Sequence, residues 1–152
     1  MRIRSTTLLI LLSLVAFNSS FAQNLTLGTW RLNEAKSKIP AGIGKSTTVV
    51  YSAVGSEIKV TADGIDGSGQ PAHSEWIGKF DAKPYPVTGD PDVTYRAYKT
   101  KGERLLLLAN MKGDKTVSNG RIHLAKDGKN RTLAMTFFGS HKTRATYVYD
   151  RQ

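Results

Sequence analysis

Apolar and polar residues alternate with a period of two along most of this chain, and glycine-containing turns interrupt the alternation at short intervals. Successive side chains of a β-strand point to opposite faces, so this pattern describes strands with one buried and one wet face. Glu57-Ile58-Lys59-Val60-Thr61-Ala62-Asp63 is the cleanest example. Leu133, Met135 and Phe137 alternate with Thr132, Ala134 and Thr136, while Ala145, Tyr147 and Tyr149 alternate with Arg144, Thr146 and Val148. Similar runs cover residues 46–53, 72–80, 93–100, 104–111 and 116–124, and Trp30 and Leu32 open the series. Gly55-Ser56, Asp66-Gly67-Ser68-Gly69, Lys101-Gly102-Glu103, Lys112-Gly113-Asp114 and Asp127-Gly128 separate the runs. Each turn offers a residue that tolerates the positive φ of a hairpin reversal. Turns every ~8–12 residues predict an antiparallel sandwich or barrel.

Local exceptions refine that expectation. Asn119-Gly120 is a strong hairpin dipeptide, but only residues 116–118 would remain before it, so Gly120 is expected to be a bulge within one long strand. Asn33-Glu34-Ala35-Lys36 suits a cap and a single helical turn, and no segment sustains helical periodicity. Pro84, Pro86 and Pro91 lie close together, which predicts a sheet edge or a connection there.

The first residues carry a different signal. Arg2 and Arg4 precede an apolar run over residues 8–17, and Ser20-Phe21-Ala22 places small residues where a signal peptidase reads. The expectation is a signal peptide over residues 1–22, cleavage before Gln23, and one all-β domain over residues 23–152. The apolar run is shorter than the ~20 residues of a spanning helix, so the cleaved product is not expected to span a membrane. Export would leave it periplasmic or secreted. The chain has no cysteine, so its core must be sufficient without disulfides.

Charge is uneven. Residues 23–92 hold seven Lys/Arg against eight Asp/Glu, and residues 93–152 hold thirteen against four. The C-terminal half is therefore basic, which favours either a well-solvated surface or attraction of anionic partners.

Motifs that carry chemistry are absent or incomplete. Gly42-Ile43-Gly44-Lys45-Ser46 lacks the first glycine of a phosphate loop and runs into a strand instead of a helix. His73, His123 and His141 have no metal-ligand spacing, and Asp63, Asp66 and Gly67 do not form a calcium loop. No serine stands in a nucleophile elbow. No cofactor, metal site or enzymatic activity is expected. Tyr95, Arg96, Tyr98, Arg144, Tyr147 and Tyr149 interleave cations with aromatics, as single-strand binders do. Alternation, however, separates Tyr95 from Arg96 and Tyr98, and Arg144 from Tyr147 and Tyr149, so nucleic-acid binding is not expected.

Gly28-Thr29-Trp30 on the first strand resembles the Gly-x-Trp opening of the lipocalin-like (calycin) barrels. The resemblance implies a tryptophan packed across a closed barrel end against a basic residue of the last strand, for which Arg151 and Arg144 are the candidates. A wider resemblance, to small exported bacterial proteins of unknown function, runs through Gly28-Thr29-Trp30-Arg31-Leu32-Asn33, Lys36-Ser37-Lys38 and His73-Ser74-Glu75-Trp76. It continues in Tyr85-Pro86-Val87-Thr88-Gly89 and Tyr149-Asp150-Arg151-Gln152. In that group a glycine stands where this chain has Ala82.

The expected fold is an all-β antiparallel meander of about eight to ten strands, closed or nearly closed into a barrel. The expected function is non-catalytic binding of a small apolar or amphipathic molecule within it. Trp76, Phe80, Leu105, Leu107, Met135, Phe137 and Tyr147 are the expected inward positions, while Gly28, Trp30, Arg144 and Arg151 are expected to close the barrel. The alternative is a basic surface engaging an anionic envelope polymer or a partner protein.

Overall fold

The computed structural model describes residues 25–152, so the expected signal peptide and its cleavage site lie outside the described residues. The alternating runs form ten strands: β1 (Gly28–Leu32), β2 (Lys45–Val54), β3 (Glu57–Ile65), β4 (Pro71–Gly78) and β5 (Asp81–Thr88), then β6 (Tyr95–Thr100), β7 (Leu105–Lys112), β8 (Lys115–Leu124), β9 (Asn130–Phe138) and β10 (Lys142–Arg151). Every strand pairs antiparallel with its sequence neighbours, and β1 pairs with β10 to close the barrel. Closure leaves no sheet edge open to another chain. In this up-and-down order β1 begins and β10 finishes at one end, here called proximal, together with the β2–β3, β4–β5, β6–β7 and β8–β9 turns.

The β1–β10 seam holds three ladder pairs: Trp30 with Arg151, Arg31 with Asp150 and Leu32 with Tyr149. Side chains extend it. Asn33 caps the single 3₁₀ turn Glu34–Lys36, its Oδ1 accepting from the Lys36 amide, while its Nδ2 donates to Asp150 Oδ2 at 2.7 Å. Ser37 Oγ accepts from the Val148 amide, and Lys38 bridges to Thr146.

Two local expectations need correction. β8 runs through Asn119-Gly120 as one strand, but Gly120 pairs regularly with Leu108 and Met135; the ladder to β7 instead skips Val117. Gly120 packs under a side chain: a Cβ there would lie 2.3 Å from Met135 Sδ and would displace it. Pro84 and Pro86 lie in a strand, β5, within the closed barrel, while Pro91 lies in the connection to β6 as expected. Its prolines have no N–H to donate, and its ladder to β4 is accordingly reduced to Glu75 with Thr88 and Trp76 with Val87.

The interior is filled. Trp30, Tyr51, Trp76, Tyr98, Met135, Tyr147 and Tyr149 are buried among Val, Leu and Ile side chains from the other strands. Trp76 meets Tyr98 edge-on at 4.8 Å and stacks on Phe80 at 6.2 Å. Both indoles are satisfied, Trp30 Nε1 donating to the Thr26 carbonyl and Trp76 Nε1 to that of Arg96. At the distal end the Tyr147 and Tyr149 hydroxyls donate to the carbonyls of Gly44 and Ser46, tying down the Gly42–Gly44 loop.

Candidate ligand-binding site

Three arginines stand in phase with the buried apolar row of their strands: Arg96 two residues before Tyr98, Arg131 two before Leu133, and Arg151 two after Tyr149. Period-two geometry therefore turns all three toward the barrel interior. Among the described residues none of them forms an ion pair.

Their surroundings differ. Arg151 lies with its guanidinium carbon 4.4 Å from the Trp30 ring centroid. Its Nε donates to the Gly128 carbonyl at 2.8 Å and Nη1 to that of Leu27 at 2.7 Å, and Nη2 donates to the carbonyl of Leu25. This residue is a clamp that binds the segment before β1 and the β8–β9 turn onto the last strand. Gly28 sits beneath it with φ +123°, and a Cβ there would approach Nη1 to 3.1 Å. Arg96 donates from Nε to Asn110 Oδ1 at 2.6 Å, and Asn110 passes the interaction on to Ser118 Oγ at 3.0 Å.

Arg131 has no such partners. It is 3% exposed, with its guanidinium carbon 4.5 Å from the Trp30 centroid, 4.6 Å from Tyr51 and 5.2 Å from Tyr149. Its Nε and Nη1 are buried with no acceptor. Aromatic faces attract a cation, worth roughly 2 kcal/mol when desolvated, but they accept no conventional hydrogen bond. The nearby phenols supply no counter-charge. Burial pushes Tyr149 well above the ordinary tyrosine value against the opposing pull of Arg131, and burial likewise raises Tyr98. Burial, followed by the positive charge of Arg131, lowers Arg151.

Arg131 and Trp30 line a cavity of about 20 Å³ at the proximal end, walled by Leu106, Ile122 and Phe80. That is room for about one water molecule. Outside it lies a depression of about 520 Å³ between the β6–β7 and β8–β9 turns, edged by Lys101, His123 and Lys126. The two spaces share Glu103, Arg104, Leu105 and Leu124 in their walls.

Of the expected inward residues, Phe80 and Leu105 line the cavity and Trp76 backs Phe80. Met135, Phe137 and Tyr147 belong to the filled middle and distal part of the core. Leu105 and Leu107 are corrections: the buried row of β7 is Leu106, Leu108 and Asn110, and the other two alternate with it and are half-buried. Four consecutive leucines show no phase, so sequence alone could not choose the inward pair. Arg144 is also a correction. It pairs with Thr136 on the exposed face of β10, out of phase with the buried Ala145, Tyr147 and Tyr149, while Arg151 reaches Trp30. Arg96 shares the inward face of β6 with Tyr98, as alternation implies. Arg131 was not among the expected inward residues, although its spacing from Leu133, Met135 and Phe137 was the available signal.

No protein-family model and no curated protein matches the chain. Among solved structures it is similar to a redesigned β-barrel, mFAP1, bound to DFHBI, with TM-score 0.47 and 15% identity over 87% of this chain and 100% of that one. It is also similar to a de novo designed fluorescence-activating β-barrel, with TM-score 0.44 and 12% identity over 87% of this chain and 98% of that one.

Proposed function

We propose that this chain is an exported, non-enzymatic binding protein that holds a small amphipathic molecule at the proximal end of its barrel. A closed β-barrel is compatible with binding a small molecule. The observation that carries the reading is the shared wall between the outer depression and the small cavity beside Arg131 and Trp30. A filled core has no space for a whole ligand of ordinary size, for which pockets run roughly 300–1,000 Å³. The depression has that capacity, so the bulk of the molecule would rest there against Leu105 and Leu124, with one small group entering the cavity.

Fluorescence titration with N-phenyl-1-naphthylamine, and its repetition on Ala125→Trp, test this reading. Filling the depression should weaken binding by about tenfold, because apolar contact carries the affinity. Unchanged affinity in Ala125→Trp would place the probe elsewhere and overturn the assignment. Lys101, Arg104 and Lys126 around the depression favour a second reading, a basic face that engages an anionic envelope polymer. Such binding would fall steeply with salt, whereas affinity for a partly buried probe should change by less than about threefold between low and physiological salt.

A further inference from the structure

Among the described residues the barrel interior carries three arginines, none of them in an ion pair; Glu103, at the rim of the cavity, is the acidic residue of its lining. Asn110 takes up one donor of Arg96, and backbone carbonyls receive all three nitrogens of Arg151. Arg131, the most buried of the three, has two nitrogens with no acceptor. A buried charge left without a partner disfavours folding, and a native protein that retains one calls for an explanation. Packing does not supply it, since a methionine or leucine would fill similar space against Trp30, Tyr51 and Tyr149 without that cost.

We propose, resting on the small-molecule reading above, that the ligand is an amphipathic organic anion whose carboxylate or comparable oxyanion is received by Arg131. The adjoining cavity admits one water-sized group, and a carboxylate oxygen has that size. A guanidinium is suited to it because its planar donors meet the oxygens of a carboxylate or sulfonate with charge-assisted hydrogen bonds. The approach is also favourable: Lys101, Arg104 and Lys126 surround the outer depression and Glu103 is the acidic residue of its wall, so an anion is drawn toward the mouth. Trp30, Tyr51 and Tyr149 hold the guanidinium in place.

A matched pair of probes tests the assignment: 1-anilinonaphthalene-8-sulfonate and its uncharged parent, N-phenyl-1-naphthylamine. The wild-type protein should bind the anion at least about tenfold more tightly than the parent. Arg131→Met should lose that preference, keep its affinity for the uncharged probe within about threefold, and melt no lower than wild type, because removing an unpaired buried charge is neutral or stabilising. Arg144→Gln removes the same charge from the outer face and should keep the preference. Equal wild-type affinity for the two probes overturns the anion assignment while leaving the small-molecule reading intact, and it does so however the variants fold. Persistence of the preference in Arg131→Met overturns the role of that residue. If neither probe binds, both readings fall together. Thermal shifts with octanoate and with inorganic phosphate separate two sources of the anion. A larger shift with octanoate is expected, and an equal or larger one with phosphate would make this a site for a free inorganic ion and overturn the amphipath.

Discussion

Ala82 adopts φ +68°, a left-handed conformation that places its Cβ against the backbone, and it is the sole non-glycine residue among the described ones to do so. That conformation costs an L-residue about 1–2 kcal/mol, partly offset by the greater freedom glycine has when unfolded. Ala82→Gly should therefore stabilise the protein by about 0.5–1 kcal/mol in urea titration, and a destabilisation would show that the exposed side chain contributes more than the strain. Trp30 is the opposite case, a fully buried ring with its N–H satisfied and two guanidiniums over it. Trp30→Ala should cost about 3–5 kcal/mol by the same measurement, and a loss below ~1 kcal/mol would contradict its place in the core. Trp30 was legible from its strand and motif. Which arginine meets it was legible too, since alternation puts Arg151 on the face of Tyr147 and Tyr149 and Arg144 on the other; the ladder that pairs Trp30 with Arg151 adds the contact itself.

At the scale of the elements, the two shortest ladders are the β1–β10 seam and the β4–β5 contact. Residues 28–38 and 149–152 build the β1–β10 seam, and His73–Trp76 with Tyr85–Gly89 build the β4–β5 contact. β5 has the thinner attachment, since two of its residues are prolines. Its amides should exchange with solvent faster than those of β7, β8 and β9, whose long ladders open only with larger portions of the barrel; hydrogen exchange by mass spectrometry can resolve this, and slow exchange in β5 would contradict it. The β3–β4 ladder makes a separate prediction. His73 pairs across it with Asp63, Nδ1 to Oδ1 at 2.6 Å, and approaches Glu75 at 3.5 Å, while Lys59 holds Glu75 from the other side. The hydrogen bond to Asp63 chiefly raises the histidine pKa, despite the opposing effect of desolvation. A raised pKa means that the folded state holds the proton more tightly. The stabilisation is therefore complete below the unfolded value and is lost as pH rises through the folded one. Between about pH 6 and 8, outside the ordinary carboxylate range, the wild type should lose more stability than His73→Gln, and identical pH slopes would show that the pair does not couple to folding. Strand positions were readable here from alternation alone. The thin ladder was not, because proline-rich sequence predicts a weak strand and a connection equally well until the neighbours are known.

For the whole molecule, export can be checked without reference to the barrel: the intact mass of the protein recovered outside the cytoplasm should begin at Gln23, and a product retaining residues 8–17 would overturn the expected cleavage. The barrel class itself was readable, since alternation with glycine turns at short spacing admits few folds other than an antiparallel sandwich or barrel. The 3₁₀ turn after Asn33 and the continuous β8 were readable for similarly local reasons, namely a capping side chain and too few residues to form a separate strand. Closure was a different matter, because it depends on β1 and β10 meeting in register across nearly the entire described chain. The candidate site depended on closure in turn. An arginine in an alternating row is ordinary on an open sheet whose faces reach water. Only when ten strands curl so that Trp30, Tyr51 and Tyr149 converge from β1, β2 and β10 does Arg131 of β9 become a buried cation without an acceptor. Sequence determined the period, the turns and the fold class, which arise from neighbouring residues; the tertiary structure decided the register, the interior face of β7 and the isolation of Arg131, because those depend on contacts between strands far apart in the chain.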